Sequence, residues 1–263
     1  MLSIVRPLAF CCGLILAVSA CTSSMNSPGS DPAAASAAIA AAIADPRRPE
    51  ADRARDADRN PQAILEFAGM APGLSVVDLF AGAGYYTELA ANVVGPEGRV
   101  LSYNNTGYAR IADKGIAARY ADGRLAQVEQ LVSENNALQL PVASFDVALF
   151  MLSYHDVYYL DGDRGWVYID RPKLLKTLYD AMKSGGRVVV ADHVSRPGLT
   201  AEQGKALHRI DPELIKADFL AAGFRFDGET EALRNASDNL DVIAMAPTVR
   251  GKTDRAVLRF VKP

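Results

Sequence analysis

The strongest constraint on the fold is a set of short apolar runs with no polar residue at every second position. Leu74–Phe80 (LSVVDLF), Phe145–Leu152 (FDVALFML) and Arg187–Ala191 (RVVVA) are the clearest. A strand with one wetted face alternates polar and apolar residues. A strand that does not alternate is covered on both faces, as in a parallel sheet clothed by helices. Weaker strands are predicted at Arg99–Tyr103, Ala126–Val132, Phe224–Thr230 and Ala256–Val261. Helices are predicted at Gln62–Gly69, Tyr85–Val94, Ile111–Asp122, Arg171–Met182 and Pro212–Ala222. The last has Asp211 as N-cap and Gly223 beyond its end. This alternation predicts a Rossmann-like α/β fold, doubly wound around a mostly parallel seven-stranded sheet.

The amino terminus reads as an export signal. Arg6 precedes an apolar core, Leu8–Val18, and the small residues Val18-Ser19-Ala20 stand before Cys21. Val-Ser-Ala-Cys resembles a bacterial lipobox, which implies a lipid anchor on Cys21 and a mature protein held at a membrane surface on the periplasmic side. All three cysteines, Cys11, Cys12 and Cys21, lie in this region. Disulfides, thiolate nucleophiles and cysteine metal ligands are thereby excluded from the rest of the chain. Residues 1–20 are expected to be signal, 21–45 a low-complexity tether, and 46–263 the folded domain. Within the tether, Ala33–Ala44 has helical propensity but no charged face. Pro46–Asn60, dense in Arg and Asp, reads as a solvated helix with i,i+3 and i,i+4 charge pairs. The net charge of -3 and the lack of a basic run disfavour a nucleic-acid partner.

The first buried strand ends in Asp78-Leu79-Phe80-Ala81-Gly82-Ala83-Gly84-Tyr85 and opens a helix. Ligands of open α/β sheets sit at this carboxyl edge. Glycines there permit positive φ and close approach of backbone to ligand. The dinucleotide pattern G-x-G-x-x-G fails, because Thr87 holds its third position, and no P-loop lysine follows.

What the turn resembles is the first motif of class I S-adenosylmethionine-dependent methyltransferases, acidic-x-G-x-G-x-G, with Phe80 in place of the first glycine. The resemblance implies that Asp78, Phe80, Gly82, Gly84 and Tyr86 surround the cofactor S-adenosylmethionine. It puts Asn104 where an acidic residue normally binds the ribose hydroxyls, and Glu134 or Asn135 near the adenine. Phe145-Asp146-Val147-Ala148 matches the family's fourth strand. From about Arg53 to Lys262 the chain is similar to a bacterial group of exported methyltransferases. The shared marks are Arg53-Ala54-Arg55-Asp56, Gly82 to Glu88, Tyr154-His155-Asp156, Ala191-Asp192-His193, His208-Arg209-Ile210-Asp211, Leu233-Arg234-Asn235 and Arg250 to Arg255. The implied activity is methyl transfer to a small-molecule acceptor.

The three histidines, His155, His193 and His208, all fall beyond strand ends on the ligand edge. His155 beside Asp156, and Asp192 beside His193, are candidates for orienting an imidazole as general base. Tyr154, Tyr158, Tyr159, Trp166 and Tyr168 either pack a loop or cover an apolar acceptor. Two other classes of function stay open: a methyltransferase-fold lipoprotein that binds a different ligand without methyl transfer, and a metal-assisted hydrolase using the His/Asp rim. No metal-binding spacing such as H-E-x-x-H is present. The sequence leaves the oligomeric state open.

Overall fold

The structure is a computed structural model that describes residues 31–159 and 166–263. The export signal, Cys21, and Asp161-Gly162-Asp163-Arg164-Gly165 lie outside the described residues.

Seven strands form one sheet: β1 (Ser75–Leu79), β2 (Arg99–Asn104), β3 (Val128–Val132), β4 (Phe145–Met151), β5 (Met182–His193), β6 (Arg225–Thr230) and β7 (Arg255–Val261). Their order is β3-β2-β1-β4-β5-β7-β6. The first five are parallel, and β7 runs antiparallel to both neighbours. Strand order reverses beside β1, which places the switch point at the glycine turn.

The helices are α1 (Pro32–Ala44), α2 (Glu50–Arg53), α3 (Asp56–Arg59), α4 (Pro61–Ala68), α5 (Tyr85–Val94), α6 (Thr106–Ile111), α7 (Asp113–Tyr120), α8 (Arg171–Ala181), α9 (Ala201–Leu207) and α10 (Pro212–Ala221). Two apolar layers show why the strands do not alternate. Val77, Leu79, Tyr103 and Phe150 pack on one face with α8 and α10. Val76, Leu89, Val100, Leu149 and Val189 pack on the other with α1, α4 and α5. Neighbouring residues of β1 therefore feed opposite cores.

Several boundaries differ from the sequence reading. α1 begins at Pro32, is capped by Asp31, and buries Ile39 and Ala42 against α4 and α5. The folded body thus starts well before residue 46, because apolar contact decides a helix whose sequence has no charged face. Pro46–Asn60 is not one solvated helix. It forms α2 and α3, with Arg48 and Asp52 buried. Arg48 pairs with Asp56 within the segment, while Asp52 pairs with Arg119 from α7. Ile111–Asp122 divides into α6, α7 and a 3₁₀ turn at Ala121–Gly123. α9 is additional.

Candidate active site

A cavity of about 540 Å³ opens at the carboxyl edge of the sheet. That size falls within the roughly 300–1,000 Å³ of small-molecule and cofactor sites. Phe80, Ala81, Gly82 and Ala83 form one wall. Tyr85 and Tyr86 from α5, Leu152 and Ser153 after β4, His193, Gly251 and Arg255 complete it.

The turn's geometry follows from its residues. Gly82 and Gly84 have φ of 58° and 81°, where a Cβ is disfavoured. A Cβ on Gly82 would meet open space, so bare backbone faces the cavity there. Gly84 instead lies under Arg119, whose Cδ would stand 2.8 Å from an added Cβ. Phe80 has φ of 50°, a left-handed conformation costing about 1–2 kcal/mol for a residue with a Cβ. Its ring packs on Tyr103, Tyr108 and Phe150 at centroid separations of 5.6, 5.3 and 5.2 Å. Each such aromatic pair contributes about 0.5–1.5 kcal/mol beyond burial, enough to offset the backbone strain. Phe80 is 3% exposed, so it shapes the wall without filling the space.

Asp78 lies beneath the turn, where its Oδ2 accepts a 2.6 Å bond from Thr87 Oγ1. Burial pushes its carboxyl up to about 7, against the opposing pull of Thr87 and Arg59. Asn104 does not reach the cavity. Its Oδ1 accepts from Gly82 N at 2.8 Å and its Nδ2 donates to Gly82 O at 3.0 Å. Both ends of the carboxamide are spent on the turn, so its role is to hold Gly82 rather than a ribose diol. Glu134 accepts from Thr106 Oγ1, and Asn135 Oδ1 accepts from Tyr103 OH at 2.9 Å. Neither lines the cavity. Among the eight residues assigned to the cofactor, Asp78, Phe80, Gly82 and Tyr86 line it, while Gly84, Asn104, Glu134 and Asn135 do not.

Of the proposed catalytic residues, His193 alone lines the cavity. Burial drives its pKa down to about 3, so the imidazole is neutral at working pH and a weak base. Its Nδ1 is 2.7 Å from Thr253 Oγ1. The other four form a cluster beside the cavity. Asp192 is fully buried and accepts from His155 N (2.7 Å), His193 N (2.7 Å) and His155 Nδ1 (2.8 Å). Burial opposes a charge on His155, but Asp192 and Asp156 outweigh it and push the pKa up to about 9. Asp156 also accepts from Tyr108 OH, and Tyr108 lines the cavity. Of the aromatic residues after β4, Tyr154 and Tyr158 donate to Asp218, Trp166 packs on Tyr108 and Tyr159, and Tyr168 is exposed. Packing accounts for most of that group.

The basic stretch Arg250–Arg255, which the sequence leaves open as an anion contact or as ion pairs within its loop, reaches the site, whereas Arg55, Arg59 and Arg119 were missed as lining. Arg55, Arg59, Arg119, Arg250 and Arg255 all border the cavity, against Asp58 and Asp78. Arg119 is neutralised by Asp52 and Glu88. Among the described residues, Arg59, Arg250 and Arg255 form no salt bridge. Arg59 stacks over Tyr85 and Tyr86 at 4.5 and 5.6 Å. Arg255 is 6% exposed, and only the carbonyls of Thr253 and Gly251, each at 3.3 Å, accept from it. Burial pulls its pKa below the ordinary arginine value. A buried guanidinium without a carboxylate is costly unless an anion arrives.

No protein-family model matches the chain. It is 27% identical over 140 residues to the ubiquinone/menaquinone biosynthesis C-methyltransferase of Ectopseudomonas mendocina, covering 51% of this chain and 47% of that protein. The enzyme of the same name from Hydrogenovibrio crunogenus is 26% identical over 186 residues, 65% of this chain and 66% of the relative. The chain thus spans about half to two thirds of these relatives. A SAM-dependent methyltransferase structure from Aquifex aeolicus superposes with a TM-score of 0.55 at 19% identity, covering 88% of this chain and 98% of the other. The fold is that of class I S-adenosylmethionine-dependent methyltransferase structures, and the sequence similarity to named methyltransferases extends over about half to two thirds of the chain.

Proposed function

We propose that the protein is a methyltransferase that uses S-adenosylmethionine to modify a small-molecule acceptor bearing an anionic group. One observation carries this reading: the cavity joins the bare backbone of Gly82 to three arginines without carboxylate partners. When bound, S-adenosylmethionine supplies a sulfonium methyl open to in-line attack. Asp78, Gly82 and Tyr86 line the wall against which it would lie. The residues present fit the group, because Phe80 is folded into the core and leaves the space beside Gly82 open. Arg59, Arg250 and Arg255 supply more positive charge than one carboxylate needs, which supports a second anion on the acceptor. Their guanidiniums fix its orientation by charge-assisted hydrogen bonds. His193, held neutral, accepts a hydrogen bond from the nucleophile. The tyrosine-rich walls exclude water, which keeps the nucleophile aligned and undiluted.

Calorimetric titration with S-adenosylmethionine and S-adenosylhomocysteine tests the cofactor assignment. The expected result is one site per chain with Kd below about 1 mM. No heat at that concentration with either ligand sinks the reading.

Residues 1–21 support export and lipidation on sequence grounds, which would set this chemistry at a membrane surface. A periplasm-dependent reporter fused after residue 21 checks it. Activity in the wild-type fusion is expected, and equal activity after deleting Leu8–Val18 would refute export.

A further inference from the structure

We propose that His155, Asp156 and His208 form a binding site for one divalent first-row transition ion, with zinc the best match. The site lies beside the cavity and does not depend on the methyltransferase reading. Its geometry carries the argument. His155 Nε2 is 3.2 Å from His208 Nδ1 and 3.4 Å from Asp156 Oδ1, and His208 Nδ1 is 3.7 Å from the same oxygen. The point in their plane equidistant from these three atoms is about 2.0 Å from each, the length of a zinc bond to imidazole or carboxylate. A tetrahedral zinc with such bonds separates its ligands by about 3.3 Å. Two histidines and one carboxylate leave a fourth position, as zinc sites that bind water or substrate do.

The surroundings aim these donors at one point. Asp192 accepts from His155 Nδ1 at 2.8 Å, which turns Nε2 toward His208 and Asp156, where a bound ion takes the place of the Nε2 proton. A buried carboxylate behind a ligating histidine fixes its tautomer and ring orientation. Asp192 is itself fixed by two backbone N–H donors, at His155 and His193. Behind Asp156, Tyr108 OH donates to the oxygen that does not face the histidines.

His208 adds an independent observation. It caps α9 with φ 49° and ψ 50°, a left-handed position where glycine is the usual residue. Its neighbour Arg209 is fully buried, paired with Asp238 at 2.8 Å and bonded to the carbonyls of Val194 and Val242. That anchor keeps His208 in the strained conformation and its Nδ1 against His155. Its side chain remains 26% exposed, giving an ion a way in.

Equilibrium dialysis of the full-length chain, stripped with chelator and returned to Zn²⁺, measures the stoichiometry. One ion per chain is expected. Co²⁺ in its place should give the intense visible absorption of a four-coordinate site. His208→Ala, changed at a part-exposed position, should weaken Zn²⁺ binding about 100-fold or more while leaving S-adenosylmethionine binding and the far-UV spectrum intact. Asp156→Asn, nearly isosteric, provides the same comparison if His208→Ala fails to fold. Zn²⁺ should raise the Tm of the wild type and not of the variants. Absence of stoichiometric uptake overturns the proposal and leaves a hydrogen-bonded network only. Equal Zn²⁺ affinity in wild type and a folded variant overturns it too, since the ion would then be held elsewhere.

Discussion

Replacing Arg119 by Ala is expected to lower Tm by roughly 10 °C, about 3 kcal/mol in a domain of this size. Arg119 is 5% exposed and donates to Asp52 at 2.6 Å, to Glu88, and to the carbonyl of Ala83 in the glycine turn. Glu88 is 1% exposed. Removing the guanidinium leaves two buried carboxylates with poorer partners: Arg124 for Glu88, and Arg55 at 3.5 Å for Asp52. Breaking a buried pair from one side is costly because the remaining charge is uncompensated. Lys at this position restores charge but not the fork that reaches three acceptors, so Arg119→Lys should recover less than half of the loss. A thermal melt decides this. A shift below about 2 °C for Arg119→Ala would show that the bridge contributes little. The turn would loosen along with the network, since the Arg119 side chain lies directly over Gly84.

Arg255→Met should act in the opposite direction on stability. The fold holds this guanidinium buried against two carbonyls and, among the described residues, no carboxylate. An apolar side chain of similar length removes the desolvation cost while keeping the packing. Tm is expected to rise by about 2–6 °C, from 1–2 kcal/mol of relieved burial. Affinity for anionic ligands should fall at the same time, by about tenfold or more for each lost charge-assisted bond. Calorimetry of the variant beside the wild type measures both quantities. A variant that is less stable and binds equally well would make Arg255 a structural residue. The expected pair of changes is the ordinary trade between a strained site and a stable fold.

How far the sequence revealed this site depends on the range of each interaction. β1, β4 and β5 were legible because burial on both faces leaves a continuous apolar run. The edge of the sheet that carries the histidines followed from strand direction alone. His155 and Asp192 are 37 residues apart and still meet, as the shared edge implied. Phe80 was legible as a departure from the motif, but not its consequence. The ring turns into the core because Tyr103, Tyr108 and Phe150 stand there, and these come from other elements. Asn104 was misread for a similar reason. A carboxamide at a strand end suits a ribose, and it suits a backbone N–H and C=O equally well. The Arg/Asp segment before α4 looked solvated because a charge pattern lacks the location of its partners. Arg48 meets Asp56 nearby, but Asp52 meets Arg119 from 67 residues away. Arg250 and Arg255 were legible as part of a marked basic stretch, but their lack of carboxylate partners, and the role of Arg59, were not, since only the folded contacts show which charges lack a partner.

The reversed direction of β7 has a temporal consequence. An antiparallel strand delivers its first residue, not its last, to the carboxyl edge of its parallel neighbours. That is how Arg255 comes to lie opposite His193 in the sheet register. A chain leaves the ribosome amino-terminus first, so β1 to β5 and the glycine turn exist before Arg255 has been made. Until the final strand inserts between β5 and β6, the cavity lacks part of its basic wall. Completion of the cavity's basic wall is therefore among the last steps of the protein's own synthesis.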